Sequence, residues 1–217
     1  MGREAIKLIA LFTMTLDHVG AILYPSDLTL RIVGRLSFPL FCYLIVLGLE
    51  STKSATRYFV RLLLFAFISQ VPYYLAFGYG PLESLNIFFT LSLGVLFLRL
   101  LFPLRTRSLL SIFPILLSFI LPFDYGWYGI MLIGCMYLLR TDALSGVLAL
   151  ILINILFLPV SAVQALSLFS VPIILMHNSG ALRKEIKISE KSAYSSLIKY
   201  FFYAYYPLHL ALLYLIN

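Results

Sequence analysis

Charge is scarce in this sequence. Of its 217 residues only 12% are Asp, Glu, Lys or Arg, and nine are acidic. Soluble domains carry about 25% charged residues, so this chain has too little charge to coat a water-facing surface. That excludes a soluble globular domain, a disordered chain and a nucleic-acid binder with a basic face, so nucleic acid is not an expected partner. Cysteine is scarce as well. Cys42 and Cys135 each sit inside an apolar run, which speaks against a disulfide framework or a zinc cluster, and no metal is expected. A Gly-rich phosphate loop, an HExxH zinc motif, a Gly-x-Ser-x-Gly elbow and a paired CxxC are all missing. So are an internal repeat and a transport-like chain of carboxylates. The acids within or near the ends of the apolar segments are Glu4, Asp17, Glu50, Glu83 and Asp142. These absences weigh against a secondary transporter.

What the sequence has in excess is apolar length. Hydrophobic residues make up 62%, mean hydropathy is +1.00, and runs close to 20 residues recur throughout. Such runs are the mark of transmembrane helices. The expected fold is an all-α polytopic membrane protein with about nine spans, one domain over residues 1–217, in the cell membrane. The spans are placed at 6–24, 30–49, 59–77, 85–102, 108–122, 127–139, 143–158, 162–176 and 200–216. Turn signals separate them at Pro25-Ser26-Asp27, Gly78 to Pro81 and Asp124 to Trp127. The sixth is short and is expected to be tilted, re-entrant or buried by its neighbours. The first run carries Asp17 and His18 and almost no charged leader, so it reads as a retained helix rather than a signal peptide.

Nine spans put the termini on opposite sides. On the N-terminal side fall Arg3, Lys7, Lys53, Arg57, Arg61, Arg99, Arg105, Arg107, Arg140, Arg183, Lys184, Lys187, Lys191 and Lys199, which is 14 of the 16 basic residues. The positive-inside rule then predicts a cytoplasmic N-terminus and an extracytoplasmic C-terminus.

Arg31 and Arg35 break that rule at the outer end of the second span. Four residues apart, they share a helical face. Arg31 reads as a headgroup anchor or an anion ligand; Arg35, a turn deeper, reads as a ligand for a phosphate, a carboxylate or a developing oxyanion. Asp17 and His18 lie about 18 Å along the first helix, at a similar depth. Adjacent helical residues diverge by about 100°, so Asp17 is free either to orient His18 or to salt-bridge Arg31 or Arg35. His209 lies at a comparable depth in the last span, as a second functional candidate or a hydrogen-bonded structural histidine. His177, at a helix C-terminus, reads as structural. Gln70, Asn86 and Thr90 are oxyanion-ligand candidates or helix–helix glue, and Asn154 reads as glue. The aromatic groups, including Tyr73-Tyr74, Tyr125-Gly126-Trp127-Tyr128 and Tyr203 to Tyr206, mostly suit interfacial belts.

Several of these pieces form a recognisable set. They are Ile6-Lys7-Leu8-Ile9-Ala10, Thr13-Met14-Thr15-Leu16-Asp17-His18-Val19-Gly20, and Arg31-Ile32-Val33-Gly34-Arg35-Leu36-Ser37-Phe38-Pro39-Leu40-Phe41. Further on come Ser69-Gln70-Val71-Pro72, Asn86-Ile87-Phe88-Phe89-Thr90-Leu91, Tyr125-Gly126-Trp127-Tyr128-Gly129 and Tyr206-Pro207-Leu208-His209-Leu210. With them the chain resembles the TraX family, named for the conjugal-transfer protein that acetylates the N-terminus of F pilin. That family in turn looks like a compact relative of the larger membrane acyltransferases. Many of those carry a basic residue near the start of the helix that holds a histidine; here Lys7 and His18 stand in that relation, with Lys where Arg is usual. The resemblance implies acetyl-CoA as donor, an amine or hydroxyl acceptor on a peptide, protein or glycan, and a catalytic His18.

The chemistry agrees with the residues. Acyl transfer from a thioester needs a base for the acceptor and a donor for the oxyanion. His18 would be the base or the acyl carrier, with Asp17 supporting it. Arg35, Gln70 or Asn86 would face the oxyanion. Lys7, Lys53, Arg57 and Arg61 would hold the donor's phosphates, together with the basic 183–199 stretch. Two other readings stay open. One is a transporter or lipid-handling protein that binds an anionic substrate at Arg31 and Arg35. The other is a noncatalytic membrane partner of a secretion or conjugation machine.

Overall fold

In a computed structural model the described residues are 2–101, 108–179 and 193–217; the side chains of residue 108 and of 193–199 lie outside the description. Ten α-helices follow one another: α1 Arg3–Ile22, α2 Leu28–Gly34, α3 Ser37–Ser51, α4 Ala55–Phe77, α5 Ile87–Leu101, α6 Ile112–Ile120, α7 Gly126–Thr141, α8 Ala143–Phe157, α9 Ser170–Asn178 and α10 Ala193–Ile216. Short 3-10 turns, Ser108–Ser111 and Ala162–Phe169, lead into α6 and α9. Every apolar segment expected from the sequence falls on a helix, so the all-α expectation holds. Among the described residues three segments are long and apolar enough to cross a membrane, namely Arg3–Ile22, Leu28–Ser51 and Ala55–Phe77.

The second expected span is broken in two at Arg35-Leu36. Pro39 explains the break. It has no N–H to offer the carbonyl of Arg35, four residues back, and its ring crowds that carbonyl. Local signals set several other ends. The Asp27 carboxylate accepts the Thr29 N–H at 2.8 Å and caps α2. Ser54 caps α4 from its N-terminal side. At the other end Gly78 takes a left-handed conformation (φ 70°), and the Tyr79 N–H reaches the Tyr74 carbonyl at 2.9 Å.

Helix α7 is the axis of the bundle and packs on α3, α5, α6 and α8. Tyr128, Ile130, Leu132, Ile133 and Met136 on it are fully buried. This is the segment whose shortness the sequence exposed, and burial by its neighbours is the outcome found. Both cysteines are buried and unpaired. The outside is apolar. Val60, Leu64, Phe67, Ile68 and Val71 on α4 and Leu8 and Phe12 on α1 are all exposed. A surface this apolar belongs in hydrocarbon rather than water.

Helices α1, α3, α4, α5 and α10 wall a cavity of about 2410 Å³. Its lining reaches from Arg3 to Ala21 along α1, a path of about 27 Å at 1.5 Å per residue. The two ends of the cavity have different chemistry.

Candidate functional site

At the end away from the N-terminus, α1 and α2 approach so closely that a Cβ on Gly34 would collide with the side chain and backbone of Asp17. Gly20 faces Leu30 in the same way. Glycine at these positions brings Asp17 within reach of both arginines. Its Oδ1 accepts a hydrogen bond from Arg35 Nη2 and forms an ion pair with Arg31, whose Nε lies 3.2 Å away. The Arg35 side chain is 9% exposed and that of Arg31 is 34% exposed. Arg35 also donates from Nη1 to the Tyr125 hydroxyl at 3.1 Å and to Gln164 Oε1 at 3.0 Å, and from Nε to the Arg31 carbonyl at 3.3 Å.

Tyr125 sits at the N-cap of α7 with φ 60°, a left-handed conformation uncommon for a bulky residue. Its ring stacks on Phe38 at 3.9 Å between centroids. Backbone strain of this kind clusters at functional sites. The preceding loop is tied down by Leu85, which donates to the Pro122 carbonyl and accepts from the Asp124 N–H, each at 2.8 Å. Burial pushes the Asp124 carboxyl up to about 7, against the opposing pull of Arg35. Asp17 pairs with both arginines, and two cations on one carboxylate suit an anion or a developing oxyanion.

On the next residue of α1 the ring of His18 meets His209 of α10. His18 Nδ1 and His209 Nε2 are 2.7 Å apart. The ring planes lie within 5° and the centroids 5.0 Å apart, so the rings sit side by side and the contact lies in both planes. Phe77 and Tyr206 close around His18 edge-on.

The N-terminal end of the cavity is basic. Arg3, Lys7, Lys53, Arg61 and Arg140 line it, against Glu4 and Glu50. Arg61 lies 5.3 Å from the ring centres of Tyr58 and Tyr203 and donates to the Tyr203 hydroxyl at 3.2 Å. Lys7 pairs with Glu4 at 2.8 Å and stands 4.9 Å above the Phe202 ring. Flat rings among cations make a mouth suited to an anion that carries an aromatic base.

With this geometry in hand, comparison with known proteins is decisive on one point. Residues 2–217 match the family described as "TraX protein". The chain belongs to the TraX family. It is 36% identical over 140 residues to a probable fimbrial assembly protein, FimC of serogroup H1, from Dichelobacter nodosus; the match covers 58% of this chain and 57% of that protein. A shorter stretch of 41 residues is 42% identical to an uncharacterized protein of Rickettsia prowazekii (strain Madrid E), covering 19% of this chain and 16% of that one. The match thus spans less than two thirds of either relative. No solved structure matches.

In this TraX-family chain the sequence-predicted residues divide into two sets. Asp17, His18, Arg31, Arg35, Lys7, Lys53 and Arg61 line the cavity, and His209 touches it through His18. Asp17 serves as the salt-bridge partner of Arg31 and Arg35, while the hydrogen-bond partner of His18 Nδ1 is His209 Nε2. Gln70, Asn86, Thr90 and Arg57 lie off the cavity. Asn86 donates to the Ala66 carbonyl at 2.7 Å and to Gln70 Oε1 at 2.8 Å. Gln70 in turn holds the Ser84 carbonyl at 2.8 Å and the Pro81 carbonyl at 3.1 Å. These two amides splice α4 to the start of α5, and their polar atoms are used up doing so. Thr90 donates to the Asp124 carbonyl and so supports the loop beneath Tyr125. Arg57 is exposed on the outside of α4. Arg105, Arg107, Arg183, Lys184, Lys187 and Lys191, and the side chain of Lys199, lie outside the described residues.

Sequence reasoning missed Gln164 and gave Tyr125 no role beyond an interfacial belt. Gln164 is 1% exposed and links Arg35 to the Tyr128 hydroxyl at 3.4 Å. Tyr128 continues to Asn154 Oδ1 at 3.2 Å, which also takes Ser167 Oγ at 3.1 Å, so Asn154 is the interhelical glue expected of it. The signal for Gln164 was a single amide in an otherwise apolar run. His177 bonds the buried Tyr43 hydroxyl at 2.7 Å, in keeping with a structural role.

Proposed function

We propose that this TraX-family chain is a multi-pass membrane acetyltransferase. It takes an acetyl group from acetyl-CoA at the N-terminal end of the cavity and delivers it to an amine or hydroxyl acceptor near His18. One observation carries the reading: a single cavity joins a basic, aromatic-lined mouth to a histidine pair and an arginine–carboxylate cluster. Nine spans with a cytoplasmic N-terminus would set that mouth where acetyl-CoA is made.

In the reaction the acceptor X–H adds to the thioester carbonyl and passes its proton to His18. The C–S bond then breaks, and the thiolate leaves with that proton as free CoA. If His18 carries the acetyl group instead, a His18 N–C bond forms as the C–S bond breaks, and that N–C bond breaks in turn when the acceptor X–H attacks and gives up its proton to the released imidazole. Arg35 and the Tyr125 hydroxyl, which line the same cavity as His18, would be the donors for the oxyanion. Lys7, Lys53 and Arg61 would hold the phosphates of CoA, joined by Arg3 and Arg140, which sequence reasoning did not select. The name of the Dichelobacter relative and the acetylation of pilin associated with the family favour a protein acceptor of pilus type over a glycan.

The test is acetyl-CoA binding to the purified protein by isothermal titration, together with thiol release. Binding should be saturable, should weaken in Arg61→Ala and should survive in His18→Ala, which should release no thiol. Turnover by His18→Ala refutes its role. Absence of binding in a folded preparation refutes the donor. A continuous cavity with two arginines also suits passage of an anion; that second reading requires flux into liposomes without any acyl donor.

A further inference from the structure

The reading of His18 as the reacting group leaves open which of its nitrogens reacts, and the neighbourhood of His209 answers this. His209 Nδ1 lies 2.8 Å from the Tyr205 carbonyl, one helical turn back. A carbonyl only accepts, so that nitrogen must carry a hydrogen. In a neutral ring the other nitrogen, Nε2, is then an acceptor, and it faces His18 Nδ1 at 2.7 Å. His18 must therefore carry its hydrogen on Nδ1. The opposite arrangement would set the bare Nδ1 of His209 against a carbonyl oxygen inside an apolar bundle, leaving two acceptors face to face. The direction of the chain, from His18 to His209 to Tyr205, is fixed at its far end by backbone.

We propose that His209 is a positioning residue. Through Tyr205 it locks His18 in the Nδ1–H tautomer and leaves Nε2 as the unprotonated nitrogen that takes the acceptor proton. The Asp of a hydrolase triad does the same service for its histidine; here a second histidine does it, because Asp17 is engaged by Arg31 and Arg35. Proton balance is simple. Nε2 of His18 gains the acceptor proton, the resulting imidazolium is stabilised by its Nδ1–H bond to His209, and the same proton leaves on the CoA thiolate. Thr15 helps hold the support: its hydroxyl pairs with that of Tyr205 at 2.7 Å, and the Tyr205 ring stacks on His209 at 5.1 Å.

The chain has three histidines, so a sample labelled with 15N at histidine gives a readable spectrum, assigned with His177→Gln. In the full-length protein in nanodiscs, His18 should show a protonated Nδ1 and a bare Nε2. A 15N–15N coupling should connect His18 Nδ1 to His209 Nε2. A His18 protonated at Nε2, or absence of that coupling, overturns the proposal. His209→Leu should let His18 relax to a mixture of tautomers and lower acetyl-CoA turnover. That loss should be smaller than the on the order of 10²–10⁴-fold expected for removing the base itself, with KM for acetyl-CoA unchanged. His209→Gln keeps an oxygen to accept the bond and should restore both tautomer and turnover; if His209→Leu fails to fold, His209→Gln and the wild-type coupling decide. A His18 tautomer unchanged in folded His209→Leu also overturns it. The spectra judge the tautomer lock and thiol release judges acetyl transfer, so the two readings fail separately.

Discussion

The Asp17–Arg35 pair makes a quantitative prediction. Asp17 has two cationic partners, but they differ in burial: Arg35 is 9% exposed and Arg31 is 34% exposed at the side chain. Removing one member of a buried pair costs about 3–5 kcal/mol, because the other charge stays buried and unpaired. An unfolded chain in a micelle finds substitute partners, which lowers such values. For Asp17→Ala with Arg35→Met we therefore expect a coupling of about 3 kcal/mol, the low end of that range. Water screens Arg31, so its coupling to Asp17 should be about 0–1 kcal/mol. The assay is a double-mutant cycle by equilibrium unfolding in mixed detergent micelles, run separately for the two arginines. The ordering is the sharper part. Equal couplings, or additive losses for Asp17 and Arg35, would refute the geometry in which Gly34 presses Asp17 against Arg35.

Other outcomes follow from single positions. Gly34→Ala should force α1 and α2 apart and cost about 1–3 kcal/mol in the same unfolding assay, with loss of the Asp17–Arg35 coupling; an unperturbed cycle in this background would contradict the close approach. Asn86→Ala should cost about 1–3 kcal/mol by removing the Oδ1 that accepts from the Phe88 N–H and the amide that donates to the Ala66 carbonyl, while turnover per folded molecule stays at the wild-type level; a selective loss of turnover would return Asn86 to the site. Arg57→Ala should leave acetyl-CoA affinity unchanged where Arg61→Ala weakens it, as read by titration calorimetry. For Asp124 the sign is set by its raised folded value of about 7. The unfolded carboxyl ionises near pH 4, the folded one near 7, so the folded state binds more protons in between. Stability should fall by on the order of 4 kcal/mol as pH rises through that window and then level off. Asp124→Asn should remove this slope, and an identical pH profile in the variant would refute the assignment.

Helical periodicity and turn residues are local, and what they govern was legible. Every apolar segment became a helix, and the clustering of Asp17, Arg31 and Arg35 followed from shared depth on adjacent helices. Two kinds of feature were not legible. One is the identity of the inward face. Asn86 and Thr90 share a face, as four-residue spacing requires, yet periodicity is silent on whether that face meets the cavity or a neighbouring helix, and here it meets α4 and the Asp124 loop. The other is contact between distant segments. His18 and His209 are 191 residues apart, and equal depth in two helices fixes neither rotation. The break at Arg35, by contrast, has a local cause that stands in the sequence, Pro39.

Energetics argue that the polar cluster is there for what it does. An all-apolar contact between α1 and α2 would fold at least as well, since buried ion pairs are often no more stabilising than well-packed hydrophobic residues. Instead the chain spends two glycines on the approach, holds Tyr125 in a left-handed conformation and threads Gln164 beneath Arg35. The histidine pair shows the same excess: two imidazoles meet between α1 and α10 where an apolar contact would meet the needs of packing. Such departures from the apolar rule converge on one end of one cavity, opposite a mouth whose cations and rings suit a nucleotide-bearing anion. Packing alone gives no reason for that convergence. The acetyl transfer proposed for this chain would supply one.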